Sequence, residues 1–209
     1  MDRPFVLMIA GPNGSGKTSL TRWLQKNDVY LGQYINPDDI AQNLEGSYEA
    51  RTTGAQQAAD TLREEYIKSK LSFSFETVMS HPSKLDVLDR ARHAGFFVQV
   101  FFIGVENPQT NVERVALRVA QGGHDVPLDR IEPRWRRSMG LAAEAILRSD
   151  EAFVFDNSDT EFSGAVPRLV LRWKHDRIKN ERYWGETPPT PDWVTKYISN
   201  RLRDEFRRQ

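Results

Sequence analysis

The segment Gly11-Pro12-Asn13-Gly14-Ser15-Gly16-Lys17-Thr18 constrains this chain more than any other. It satisfies G-x-x-x-x-G-K-[ST], follows directly on the apolar run Phe5 to Ala10, and leads into Ser19-Leu20-Thr21-Arg22-Trp23-Leu24 at helical spacing. A strand, a glycine-rich turn and a helix in that order wrap backbone N–H groups and a helix N-terminus around a phosphate, and Lys17 adds a full positive charge. The residues expected to hold a nucleotide are therefore Gly11, Asn13, Gly14, Ser15, Gly16, Lys17, Thr18 and Ser19, with the Thr18 hydroxyl offered to Mg2+.

Four further short apolar runs follow: Gln33 to Ile35, Ser72 to Phe75, Phe97 to Val105 and Phe153 to Phe155. Helix-like stretches lie between them at about 48–70, 83–94 and 109–121. The alternation predicts an α/β P-loop NTPase fold with a five-stranded, mainly parallel sheet flanked by helices. With 209 residues and 39% hydrophobic composition, one domain with a sizeable core is expected. Lys+Arg and Asp+Glu are equal at 29 each, which argues against a polycationic nucleic-acid clamp, and the absence of cysteine fits a reducing compartment. No apolar run approaches membrane-spanning length, and the N-terminal run lacks a cleavage pattern, so a cytoplasmic protein without membrane contact is expected. From Arg168 onward the charge becomes basic, 11 Lys+Arg against 6 Asp+Glu. The chain is accordingly divided into a kinase-like core, 1–164, and a basic, aromatic C-terminal extension, 165–209, packed on it as a final strand (165–173) and a closing helix (192–208).

A phosphate loop indicates a nucleotide without specifying its fate. The base-reading N-K-x-D of GTPases is missing, and no apolar strand ends in Asp-Glu, which brings a kinase of a small acceptor forward. In a parallel sheet the ligand lies outside the carboxyl ends of the strands, where this chain places Asp38, Glu76, Glu106 and Asp156. Asp38 is the expected general base, with a helix N-cap as the competing role and Asp39 as the substitute. Glu76 and Thr77 suit acceptor hydroxyls or the waters around Mg2+, whereas Asp156-Asn157-Ser158 reads equally well as a turn. Arg114 and Arg118, then Arg130, Arg134 and Arg137, are expected to converge at a lid (about 120–137) hinged at Gly122-Gly123, its arginines closing over the transferring phosphoryl group. His124 is expected to be a loop residue without catalytic role, and the four scattered histidines give no metal-ligand spacing.

Taken together, Gly11 to Thr18, Asn36-Pro37-Asp38, Phe75-Glu76-Thr77, Arg114 to Val119, Gly122 to Pro127 and Asp156-Asn157-Ser158 resemble the zeta toxin family of P-loop kinases in its short chromosomal form. The resemblance covers about residues 5–158. It implies a core like that of nucleoside monophosphate kinases, ATP with Mg2+ as donor, and a nucleotide sugar as acceptor, of which UDP-N-acetylglucosamine is the family's best-known example. Lys17 then matches the phosphate-loop lysine, Asp38 the catalytic aspartate and Glu76 the acceptor-binding glutamate; Arg118 and Arg134 come nearest to the two catalytic arginines, at a different spacing. An antitoxin partner is implied in the same way. The competing readings are a P-loop ATPase or kinase acting on nucleic acid through the basic tail, and an ATP-binding regulatory switch.

Overall fold

A computed structural model describes residues 3–123, 126–158 and 167–207. The strands are β1 (Phe5–Ala10), β2 (Gln33–Ile35), β3 (Phe73–Thr77), β4 (Phe97–Gly104), β5 (Glu151–Asp156), β6 (Arg168–Asp176) and β7 (Glu181–Glu186). They form one sheet in the order β2-β3-β1-β4-β5-β6-β7. The first five are parallel, and β6 and β7 add antiparallel to β5. The five expected parallel strands are therefore present, and the sheet is corrected to seven. Strand β7 escapes the sequence because Glu181-Arg182-Tyr183-Trp184-Gly185-Glu186 is an edge strand, half exposed along its length, and carries little apolar signal.

Helices α1 (Lys17–Lys26), α2 (Pro37–Gln42), α3 (Tyr48–Lys68), α4 (Asp86–His93), α5 (Pro108–Ala120) and α6 (Leu128–Leu147) connect the parallel strands. Local chemistry starts them. Asn36 and Asn107 each precede a proline, and their side chains accept hydrogen bonds from the amides of Asp38 and Gln109. Ser47 caps α3 through the Ala50 amide. Helix α5 stops at Gly122, which takes a left-handed φ of 82° that a side chain would resist. The Gly122 and Gly123 amides then donate back to the carbonyls of Val119 and Arg118, both at 2.9 Å. The glycine pair expected as a hinge is thus a hydrogen-bonded helix stop.

Both faces of β1 are buried, which is why it reads as a continuous apolar run: Leu7 and Ile9 meet Leu20 and Leu24 of α1, whereas Val6, Met8 and Ala10 join the main core on the opposite face. That main core is completed from the C-terminal segment. Trp173 of β6, Trp193 and Val194 of α7 (Asp192–Val194), Ile198 in the π-helical turn Thr195–Ser199 and Leu202 of α8 (Asn200–Arg207) are all buried in it. Truncating a buried tryptophan to alanine in such a setting costs about 3–5 kcal/mol. A smaller cluster of Val115, Val126 and Ile131, with Val112 against it, joins α5 to α6.

Candidate active site

The loop between β1 and α1 closes around its own lysine. Lys17 Nζ donates to the carbonyls of Gly11 (2.8 Å) and Pro12 (2.9 Å). Gly16, with φ 99°, turns the chain into α1 at a conformation reserved in practice for glycine. Three charged side chains from other elements bear on Lys17: Glu76 and Asp38, which favour its charged form, and Arg118, which opposes it. Burial outweighs them and pushes the ammonium below the ordinary lysine range.

Asp38 reaches this position from the second residue of α2. The cap of that helix is Asn36, whose Oδ1 accepts from the Asp38 amide at 3.1 Å. The carboxylate of Asp38 is therefore not consumed in capping; it is exposed, without a hydrogen bond or ion pair to any other described side chain.

Glu76, at the end of β3, is 5% exposed and points to the α1 side of the sheet. Its Oε2 accepts from Thr18 Oγ1 at 2.9 Å, and its Oε1 accepts from Thr21 Oγ1 at 2.8 Å and from the Tyr34 hydroxyl at 2.6 Å. Burial and the Glu76 carboxylate raise the Tyr34 pKa well above its ordinary value, so Tyr34 remains a donor. The adjacent Thr77 is occupied locally: its hydroxyl accepts from the Met79 amide at 3.0 Å, and its carbonyl accepts from the Gly11 amide at 3.3 Å.

On the opposite face of β3 a cavity of about 220 Å³ opens between α3 and α4, lined by Phe75, Glu76 and Thr77 together with Gln56, Asp60, Arg63, Ser83 and Lys84. The Arg63 guanidinium is buried over the Phe75 ring, 4.9 Å from its centroid, and is hydrogen-bonded to Asp60. Lys84 Nζ lies 3.9 Å from the same Asp60 oxygen and donates to Gln56 at 3.1 Å. Two cations share one carboxylate here, and burial lowers the pKa of both.

The five arginines expected to converge do not. The charge of Arg118 bears on Lys17, and its Nε and one Nη are buried without a hydrogen-bond partner among the described residues. Arg114 Nη1 donates to the Asn157 carbonyl at 2.8 Å. Arg130 lies 3.7 Å from Glu49 of α3, and Arg137 donates to the Ser80 carbonyl at 3.1 Å. Arg134 is half-buried on α6 without a hydrogen bond or ion pair to another described residue. The i, i+4 spacing brought these side chains to common helix faces, but the partners they find lie on different elements. His124 and Asp125 lie outside the described residues.

Several groups at the site were not anticipated. Tyr34 and Thr21 hold Glu76, Asn111 Nδ2 donates to the Asn13 carbonyl, and Asn157 Nδ2 donates to the Ser15 carbonyl at 2.9 Å. Thr21 was detectable as the residue one turn after Lys17 on α1; Asn157 stood out only as part of Asp156-Asn157-Ser158, without its role at the loop, and Asn111 is too distant in the chain for any local pattern to reveal it. Of the four acidic strand ends, Asp38 and Glu76 face the phosphate loop, whereas Glu106 and Asp156 face the C-terminal segment through Trp193.

Residues 1–162 match the zeta toxin family. The chain belongs to the zeta toxin family. Over 130 residues, 62% of this chain and 91% of the relative, it is 28% identical to an uncharacterised protein of Haemophilus influenzae. Among solved structures it resembles the AvrRxo1-ORF1:ORF2 complex crystallised with ATP, at a TM-score of 0.63 and 15% identity over 81% of this chain. This chain spans 58% of the length of that one. It also resembles the PezAT chromosomal toxin–antitoxin system of Streptococcus pneumoniae, at a TM-score of 0.62 and 11% identity, covering 99% of this chain and 84% of the other. At these identities the structural matches establish the fold, that of the P-loop kinases. Among the described residues no helix is long and apolar enough to cross a membrane.

Proposed function

We propose that this zeta toxin family member transfers the γ-phosphoryl group of ATP to a hydroxyl of a small acceptor. The observation that carries the reading is the position of Asp38: an exposed carboxylate released from capping by Asn36, without a partner among the described residues, whose charge favours the protonated form of the phosphate-loop lysine. A base so placed takes the acceptor's proton as its oxygen attacks the terminal phosphorus. Lys17 and Arg118 stabilise negative charge on the transferring group, and the unpaired Arg118 donors fit phosphate oxygens. ATP as donor is supported by the fold shared with a complex crystallised with it.

The residues present also fit Mg2+. The Thr18 hydroxyl and the Glu76 carboxylate put hard oxygen ligands side by side, and one carboxylate with phosphate oxygens and waters is an ordinary set for this ion. When bound, Mg2+ supplies charge neutralisation at the phosphates. Glu76 would hold it with Thr18, while Tyr34 and Thr21 fix the carboxylate's orientation. On this reading Glu76 serves the donor as much as the acceptor.

The cavity beside Glu76 and Thr77 is the proposed acceptor pocket. Its hydroxyl, amide and carboxylate groups suit a sugar, and the Arg63–Lys84 pair sharing Asp60 suits an anionic group on the same molecule, a combination that a nucleotide sugar provides. An antitoxin protein as partner is supported by family membership and by the toxin–antitoxin assembly of the Streptococcus pneumoniae relative. The test is product formation: ATP consumption with a panel of nucleotide sugars, with mass spectrometry of the acceptor. A single added phosphate, abolished in Lys17→Ala and Asp38→Asn, is expected; ATP turnover independent of every acceptor, or undiminished in Asp38→Asn, would refute the assignment.

A further inference from the structure

Trp193 begins the closing helices, 1% exposed, with its ring packed 6.1 Å from that of Phe102. It lies over Gly104, the last residue of β4, so closely that a Cβ there would come within 2.4 Å of the indole. A buried indole N–H needs an acceptor. Nε1 finds one at 3.0 Å in Asp156 Oδ1, at the end of β5. The other Asp156 oxygen lies 3.6 Å from Arg168, which belongs to the same C-terminal segment.

The next residue, Asn157, is held on three sides. Its amide donates to the Gly104 carbonyl at 2.9 Å, its carbonyl accepts from Arg114 at 2.8 Å, and its side-chain amide donates to the Ser15 carbonyl at 2.9 Å. Ser15 precedes the left-handed Gly16 and Lys17, so the Asn157 bond lands where the phosphate loop turns into α1. A Cβ on Gly16 would lie only 2.5 Å from Asn157 Nδ2. Mutually oriented, partly buried hydrogen bonds of this kind transmit position from one partner to the next.

We propose that the C-terminal segment sets the conformation of the phosphate loop, through Trp193, Asp156 and Asn157 to Ser15, and that Trp193 and Asn157 are positioning residues for the nucleotide. The segment then acts on the nucleotide site through the phosphate loop. The consequence for binding rests on the reading of the loop as an ATP site; the coupling between tail and loop does not.

The test uses the full chain and two readouts, hydrogen exchange of the amides of residues 11–20 without nucleotide, and calorimetric affinity for Mg·ATP. Trp193→Phe keeps the ring packing and loses the N–H; Asn157→Ala loses the contact with Ser15. Each is expected to speed exchange in the loop and to weaken ATP binding about fivefold to tenfold, the scale of one hydrogen bond. The double variant should be no worse than Asn157→Ala alone by more than about twofold, because both act on one link. Arg203→Ala, which breaks a contact with Glu186 in the same segment, should lower the melting temperature without moving either readout. Trp193→Phe behaving like Arg203→Ala would overturn the proposal, as would additive losses in the double variant. Faster loop exchange in Trp193→Phe, together with a wild-type protein that binds no ATP, would uphold the coupling and remove the donor reading instead.

Discussion

Glu76 meets Thr18 across 2.9 Å with one carboxylate oxygen, while Tyr34 and Thr21 hold the other oxygen at 2.6 and 2.8 Å. A carboxylate gripped on one side and turned toward the phosphate-loop hydroxyl on the other has its orientation set before any ligand arrives. Glu76→Gln keeps the shape and removes the charge. It is expected to raise the Mg2+ concentration for half-maximal turnover about 10–100-fold, as loss of such groups does elsewhere. A magnesium titration of the initial rate checks this, and an unchanged midpoint would place Glu76 outside the cation site.

Tyr34→Phe should act on stability in a pH-dependent way. The Tyr34 pKa is raised above its ordinary value of 10.0 by burial and by Glu76. Below pH 10 the phenol is protonated folded and unfolded, so its hydrogen bond contributes about 1–2 kcal/mol at any such pH. Above pH 10 only the unfolded chain loses the proton, and this contribution falls by about 1.4 kcal/mol per pH unit. Urea unfolding of both proteins should show the wild-type advantage shrinking between about pH 10 and 11; a constant gap would mean that Tyr34 ionises freely in the fold.

Asp38→Asn is expected to lower kcat about 10²–10⁴-fold, the usual contribution of a positioned base, with ATP affinity nearly unchanged. Asp39→Asn, one residue on, should stay within about threefold of wild type, since the electrostatic coupling to Lys17 comes from Asp38. Single-turnover rates separate the chemical step from binding, and equal losses in the two variants would contradict the assignment.

The two arginines matched to the family's catalytic pair should prove unequal. Arg118 stands at Lys17 with unpaired buried donors, whereas Arg134 has no such connection. Arg118→Ala should therefore cost about a thousandfold in kcat or more, and Arg134→Ala less than about tenfold. Comparable losses from both would mean that α6 moves toward the nucleotide during turnover.

Lys84→Gln removes one of the two cations that share Asp60 while leaving the Arg63–Asp60 pair intact. The KM for an anionic acceptor should rise about tenfold, the equivalent of one charge-assisted hydrogen bond, with the KM for ATP unmoved. Initial-rate kinetics with each substrate varied in turn would expose the opposite outcome, a change confined to ATP.

Much of this protein follows from its sequence because the relevant interactions are local. Gly11 to Thr18 carries its phosphate-binding geometry in eight consecutive residues, and β1 and β2 begin and end at the expected positions. Asn36-Pro37 contains its own capping chemistry. What the tertiary structure decided are the relations between residues far apart in the chain: that Tyr34 and Thr21 orient Glu76, that the lid arginines disperse, that β7 joins the sheet, and that Trp193 reaches Ser15 through Asp156 and Asn157. The physical reason is one of range. Backbone propensity, capping and periodicity act within a few residues, whereas the direction of a side chain depends on which strand ends lie side by side, and that is settled only when the whole sheet has closed over its two cores.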